Sequence, residues 1–124
     1  MKFINLSDAE LEIMKVFWEK NREFTFAELL EYFQQNTDKD WKKQTLNTFL
    51  FRLQQKGYLQ AEIVDRYKKY SAIITEETYK LEESKALLDK NYHGSLAKML
   101  ASFHGGETLD SEEIAELKTL IEKW

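Results

Sequence analysis

Apolar residues return at helical spacing three times in the first half of this chain. Ser7 and Glu10 have the S-x-x-E spacing of a capping box, and Leu11, Met14, Val16, Phe17 and Trp18 supply an apolar face through about Glu19. Thr25 and Glu28 repeat that spacing ahead of Phe26, Leu29, Leu30 and Phe33. The polar run Gln34 to Asp40 reads as a loop, and a third helix is predicted from Lys42 to Lys56, stopped by Gly57. The period then changes. Tyr58, Leu59, Ala61, Ile63 and Val64 read as a strand, Asp65-Arg66 as a tight turn, and Tyr67, Tyr70, Ala72 and Ile74 as a second strand. So short a turn makes an antiparallel hairpin. Thr75 caps a fourth helix carrying Tyr79, Leu81 and Leu87 or Leu88, weakened at His93-Gly94. Leu96, Met99, Leu100 and Phe103 continue a stripe up to the break at Gly105-Gly106. Asp110 and Glu113 restart a helix with Ile114, Leu117, Leu120 and Ile121 on one face.

Three helices followed by a two-stranded hairpin is winged-helix order, with the third helix placed to enter a DNA groove. The expected class is mainly α (α+β). A winged helix-turn-helix domain is expected over residues 1–75 and a helical dimerisation region over residues 76–124.

Composition removes several alternatives. There are 124 residues, 43% of them hydrophobic, which suffices for a core; there is no cysteine, so disulfides, zinc-thiolate sites and thiol catalysis are excluded. No signal-peptide or membrane-length apolar run occurs, and a soluble cytoplasmic protein is expected. The net charge of −4 argues against nucleic acid until its placement is considered. Residues 1–75 carry 12 Lys/Arg and 11 Asp/Glu, a net of +1, whereas residues 76–124 carry 6 and 11, a net of −5. Residues 42–69 hold 7 basic and 2 acidic side chains, a net of +5. Local DNA contact and a solvated face with chance clustering both fit that segment.

At about 100° per residue, Leu46, Phe49, Leu50 and Leu53 share the core face of the third helix. Gln44, Thr48, Phe51 and Gln55 lie opposite, flanked by Thr45 and Arg52 on one side and Lys43 and Asn47 on the other. Gln and Asn pair with adenine edges, Thr meets a thymine methyl or a phosphate, and Lys and Arg suit guanine edges or phosphates. That outward face holds no acid, which favours DNA over an ordinary amphipathic helix. Three roles fit Phe51: packing on the hairpin, a thymine-methyl contact, or an isolated exposed apolar side chain. Arg66, Lys68 and Lys69 at the hairpin suit phosphate contacts, and equally suit an edge strand shielded by lysine. The expected DNA-binding set is therefore Lys42, Lys43, Gln44, Thr45, Asn47, Thr48, Phe51, Arg52, Arg66, Lys68 and Lys69.

The tail carries Leu88, Tyr92, Leu96, Met99, Leu100, Phe103, Leu117, Leu120, Ile121 and Trp124, too many apolar residues for solitary helices to hide. Burial against a second copy is expected, and a two-fold dimer suits a palindromic operator. A winged-helix protein-interaction module without sequence-specific DNA binding is the alternative, motivated by the acidic net charge and Phe51. For an enzyme there is no nucleophilic cysteine and no glycine-rich phosphate loop. Paired carboxylates such as Glu76-Glu77 and Glu112-Glu113 read as helix starts. His93 and His104 would share a face only on a continuous helix, and two ligands are too few for a metal site, so neither metal nor cofactor is expected.

Leu6-Ser7-Asp8-Ala9-Glu10 with Met14 and Trp18, then Trp41, Thr45-Leu46, Arg52-Leu53 and Lys56-Gly57, and late Leu109-Asp110-Ser111-Glu112-Glu113-Ile114 with Glu116-Leu117 lie along the chain. Together these segments resemble the penicillinase repressors, the BlaI/MecI group, which also includes copper-responsive repressors. The resemblance implies a homodimer with interlocked C-terminal helices, whose two winged helices read an inverted-repeat operator and repress by occupying the promoter. It implies, in the penicillinase branch, a membrane sensor-protease system and cleavage at an Asn-Phe bond. The matching bond is Ser102-Phe103, without the asparagine. The copper branch's C-terminal cysteines are absent. Lys43 stands where that family commonly has Pro, and Phe51 where it has a polar or basic residue, so the operator sequence is expected to differ.

Overall fold

A computed structural model describes residues 3–103 and 109–124. The chain is mainly helical with a small three-stranded antiparallel sheet, in the order α1 (Asp8–Lys20), β1 (Phe24–Thr25), α2 (Phe26–Asn36), α3 (Lys43–Gln55), β2 (Leu59–Val64), β3 (Tyr67–Ala72), α4 (Glu76–Tyr92), α5 (Leu96–Ala101) and α6 (Ser111–Glu122). Both capping boxes form. Ser7 Oγ accepts from Glu10 N–H while the Glu10 carboxylate accepts from Ser7 N–H, and Thr25 and Glu28 do the same at α2.

The loop expected over Gln34–Asp40 is corrected at its start: α2 continues to Asn36. Its last carbonyls find side-chain donors, Asn36 Nδ2 to Tyr32 O at 3.1 Å and Thr37 Oγ1 to Phe33 O at 2.6 Å. Strand β1 was not foreseen. It pairs antiparallel with β3, Phe24 opposite Tyr70, so the sheet order is β1-β3-β2. The hairpin register places Leu59 opposite Ala72, Ala61 opposite Tyr70 and Ile63 opposite Lys68. Asp65 and Arg66 close the turn, both in the left-handed region at φ 51° and 76°.

Two compact units result, residues 1–83 and 84–124. In the first, Ile13, Met14, Phe17, Phe24, Leu29, Phe33, Leu46, Leu50, Leu53, Tyr58, Leu59 and Tyr70 are buried in one cluster. The indole of Trp18 donates to Ile74 O at 2.8 Å. Tyr79 joins that core, its ring 5.5 Å from Trp18 and 5.9 Å from both Phe3 and Tyr58. The first turns of α4 therefore belong with the first unit, which extends past residue 75. In the second unit, α4 ends at Tyr92, and His93 and Gly94 turn with φ 52° and 78°. The helix that would have aligned His93 with His104 is thus interrupted; His104 and Gly105-Gly106 lie outside the described residues. Asp110 caps α6 by accepting from Glu113 N–H at 2.8 Å.

Candidate nucleic-acid interface

Helix α3 has two unlike faces. Leu46, Leu50 and Leu53 are fully buried, while Phe49 stacks toward Trp41 at 5.2 Å and Trp41 toward Phe33 at 4.7 Å. On the other side Lys43, Gln44, Thr45, Asn47, Thr48, Phe51, Arg52 and Gln55 are all exposed. Phe51 is 58% exposed, too open for packing on the hairpin to hide it. Thr48 donates its hydroxyl hydrogen to Gln44 O at 3.0 Å, so at that position only its lone pairs and methyl remain for a partner.

The two ends of α3 differ as much as its faces. Its N-cap, Lys42, makes no side-chain cap hydrogen bond, and the first turn holds no acid. Helices α1 and α2 each place an acidic residue there. Lysines 42 and 43 instead stand beside the positive end of the helix dipole, which disfavours the free helix and favours a bound anion. Lys42 reaches Asp40 at 3.4 Å, but both side chains are largely exposed and the pair is weak.

The basic residues counted from the sequence divide on the structure. Lys56 turns inward, its Nζ 2.7 Å from Glu10 Oε1. Lys68 and Lys69 are neighbours on β3 and face opposite sides of it. Lys69 lies on the side of Glu62, its cross-strand neighbour, and pairs with Glu23 at 3.6 Å. Lys68 stays on the other side, 5.3 Å from the ring of Tyr70. Arg66 is exposed at the hairpin tip. Lys43, Arg52, Arg66 and Lys68 have no ion-pair partner among the described residues. They fall in two groups, on α3 and on the hairpin. Sequence reasoning missed Glu10 and Lys56 as a pair; the capping-box glutamate was the only local signal.

None of the ten apolar tail residues is fully buried within one copy. Neither α5 nor α6 buries a residue. Leu96, Leu120, Ile121 and Trp124 are exposed, and Leu88, Tyr92, Met99, Leu100, Phe103 and Leu117 are half-buried. Ser102 is the C-cap of α5 and donates to Met99 O at 2.6 Å, so the Ser102-Phe103 bond lies at a helix end. No helix among the described residues is long and apolar enough to cross a membrane, and no group of three or more His, Asp or Glu there could hold a metal.

Three helices, a hairpin closed by a strained basic tip and an acid-free helix face define a winged-helix regulator of the DNA-binding class. The chain matches the penicillinase repressor family model over residues 6–123 and belongs to that family. It is 34% identical to the penicillinase repressor of Bacillus licheniformis, over 98% of this chain and 93% of that one. It is 29% identical to the methicillin resistance regulatory protein MecI of Staphylococcus aureus, over 98% and 97%. Among solved structures, the DNA-binding domain of the repressor BlaI matches at 36% identity with a TM-score of 0.53, covering 64% of this chain and 94% of that one. The monomeric form of Bacillus licheniformis BlaI in complex with the blaP half-operator matches at 33% identity and a TM-score of 0.53, covering 63% and 92%. The family is one of transcriptional repressors, and the enzyme reading falls away with that membership.

Proposed function

We propose that this chain is a homodimeric transcriptional repressor that binds an inverted-repeat operator. Its DNA-binding domain, expected over residues 1–75, takes in the first turns of α4 with Tyr79, and the tail beyond Glu83 forms its dimerisation region. The observation that carries the reading is the exposed, acid-free face of α3 with an uncapped, lysine-bearing N-terminus. In this reading Lys42, Lys43 and Arg52 meet phosphates or guanine edges, and Gln44 and Asn47 read adenine edges. Thr45 and Thr48 meet backbone or thymine methyl, and Phe51 packs on a thymine methyl. The wing, residues 64–70, brings Arg66 and Lys68 to the backbone, and Lys69 contributes only by releasing Glu23.

The incompletely buried tail supports pairing of two copies through the residues from Leu88 to Trp124 named above. Relief of repression through a membrane sensor-protease system belongs to the same reading, but Ser102-Phe103 lacks the asparagine of the family's cleavage bond and is not assigned as the cut site. Electrophoretic shift on the DNA upstream of its own gene tests it. Salt-sensitive binding that protects two half-sites is expected. Equal affinity for upstream and scrambled fragments at low salt would overturn it.

A further inference from the structure

The most deeply buried charge in the first unit lies at the other end of α3. Glu10 is 1% exposed. Its Oε1 accepts from Ser7 N–H at 2.7 Å and from Lys56 Nζ at 2.7 Å, and its Oε2 has no hydrogen-bond partner among the described residues. Lys56 is the C-cap of α3 and donates also to Asn5 O at 3.0 Å. The next two residues turn the chain sharply: Gly57 adopts φ 83° and Tyr58 N–H bonds back to Leu53 O at 3.0 Å. Tyr58 then donates its hydroxyl to Ile4 O at 2.8 Å. The C-terminal end of α3 is thus tied to the start of α1 and to the segment before it by directional bonds.

An apolar pair at these positions would lose the cap on Ser7 N–H but little of the ion pair's own worth, because burying charge costs most of what the pairing returns. What leucines 46, 50 and 53 cannot supply is direction: an apolar stripe tolerates small rotations and slides of a helix, and a 2.7 Å ion pair tolerates less. The N-terminal end of α3 has no cap to fix it. We propose that Glu10 and Lys56 are positioning residues for operator reading: their buried ion pair sets the rotation and axial placement of α3, and so which bases its outward side chains meet. The inference rests on the operator-binding reading above.

The test compares the wild-type chain with Glu10→Met/Lys56→Met, which leaves net charge unchanged. The operator probe is a duplex that the wild-type chain selects from a randomised pool, and the competitor is its scrambled sequence. Thermal melting checks that the double variant folds. Non-specific affinity and its salt slope are expected to stay at wild-type values, while preference for the selected duplex falls about tenfold, the scale of one base-edge pairing. Lys56→Arg is measured alongside; it keeps both charges, must fold, and is expected to lose preference in the same direction through its longer, planar head group. A folded variant of either kind that keeps its preference within about twofold of wild type would overturn the inference, that margin being ordinary coupling noise. A wild-type chain with no preferred duplex would overturn the operator reading, and this inference with it.

Discussion

Replacing Arg66 by glycine should make the protein more stable and a weaker DNA binder. Arg66 closes the hairpin turn at φ 76° and follows Asp65 at φ 51°. Two left-handed residues suit a two-residue hairpin loop, where Asn-Gly or Asp-Gly is the favoured sequence. A side chain in that region costs about 1–2 kcal/mol, and glycine loses about 0.5–1 kcal/mol through its freer unfolded chain. Arg66→Gly should therefore gain about 0.5–1 kcal/mol, raising the melting temperature by roughly 2–6 °C. The same change removes one exposed cation from the wing. If that cation neutralises one phosphate, its removal should lower the slope of log K against log[salt] by about 0.9 per half-site. Differential scanning fluorimetry reads the first quantity, and fluorescence anisotropy across a salt series reads the second. Arg66→Lys should keep the strain and most of the slope. If Arg66→Gly leaves the salt slope unchanged, Arg66 does not touch phosphate. If it lowers the melting temperature, the side chain is holding the turn and the strain argument fails.

Other outcomes follow from the same geometry. Asn47→Ala should cost about 1–3 kcal/mol of operator discrimination while leaving non-specific affinity unaltered, checked by competition between selected and scrambled duplexes. Ile121→Asp should shift the chain toward monomer in sedimentation equilibrium at micromolar concentration, because a charge placed in a buried apolar contact costs several kcal/mol; an unchanged mass would remove α6 from the dimer contact. Burial pushes the Glu10 carboxyl up, but its hydrogen bonds from Lys56 and Ser7 outweigh that and hold it below the ordinary value. Its contribution is therefore present above the unfolded value and lost as pH falls through the folded one, so Glu10→Gln should flatten urea-measured stability against pH below about pH 5. At the alkaline end, burial and the Glu83 hydrogen bond push Tyr79 up to about 12. Stability should fall between about pH 10 and 12, as the unfolded chain loses that proton first, and Tyr79→Phe should reduce the loss.

What could be read from the sequence was what is decided locally. The starts of α1 and α2 were legible because a capping box closes within four residues, Ser7 to Glu10 and Thr25 to Glu28. The turn at Asp65-Arg66 and the stripe of Leu46, Leu50 and Leu53 were legible for the same reason. Phe24-Thr25 was not, because two residues become a strand only through Tyr70 and Lys69, distant in sequence, and Thr25 also serves as the cap of α2. Tyr79 read as tail because its helix is continuous in sequence, whereas its ring belongs with Trp18 and Tyr58. The basic segment over residues 42–69 was legible only as a count. Counting charges treats each as free, and the fold gives Lys56 to Glu10 and Lys69 to Glu23.

That redistribution changes what the charge pattern means. As a count, the segment fits local DNA contact and a solvated face alike. With Lys56 and Lys69 engaged by acids, Lys42 (held only by its weak, exposed pair to Asp40), Lys43 and Arg52 remain at α3, and Arg66 and Lys68 on the wing. In the proposed reading, few free cations give modest non-specific attraction, and discrimination falls to the side chains assigned to base edges. Such readers are only as selective as their placement is fixed. The fold leaves the N-terminal end of α3 uncapped and lysine-rich, where an anion can complete it, and ties the C-terminal end into the core through Glu10 and Lys56. On the proposals made above, an acidic chain can in this way carry a DNA-reading helix: its cations are few, and its geometry is set from the end that DNA does not need.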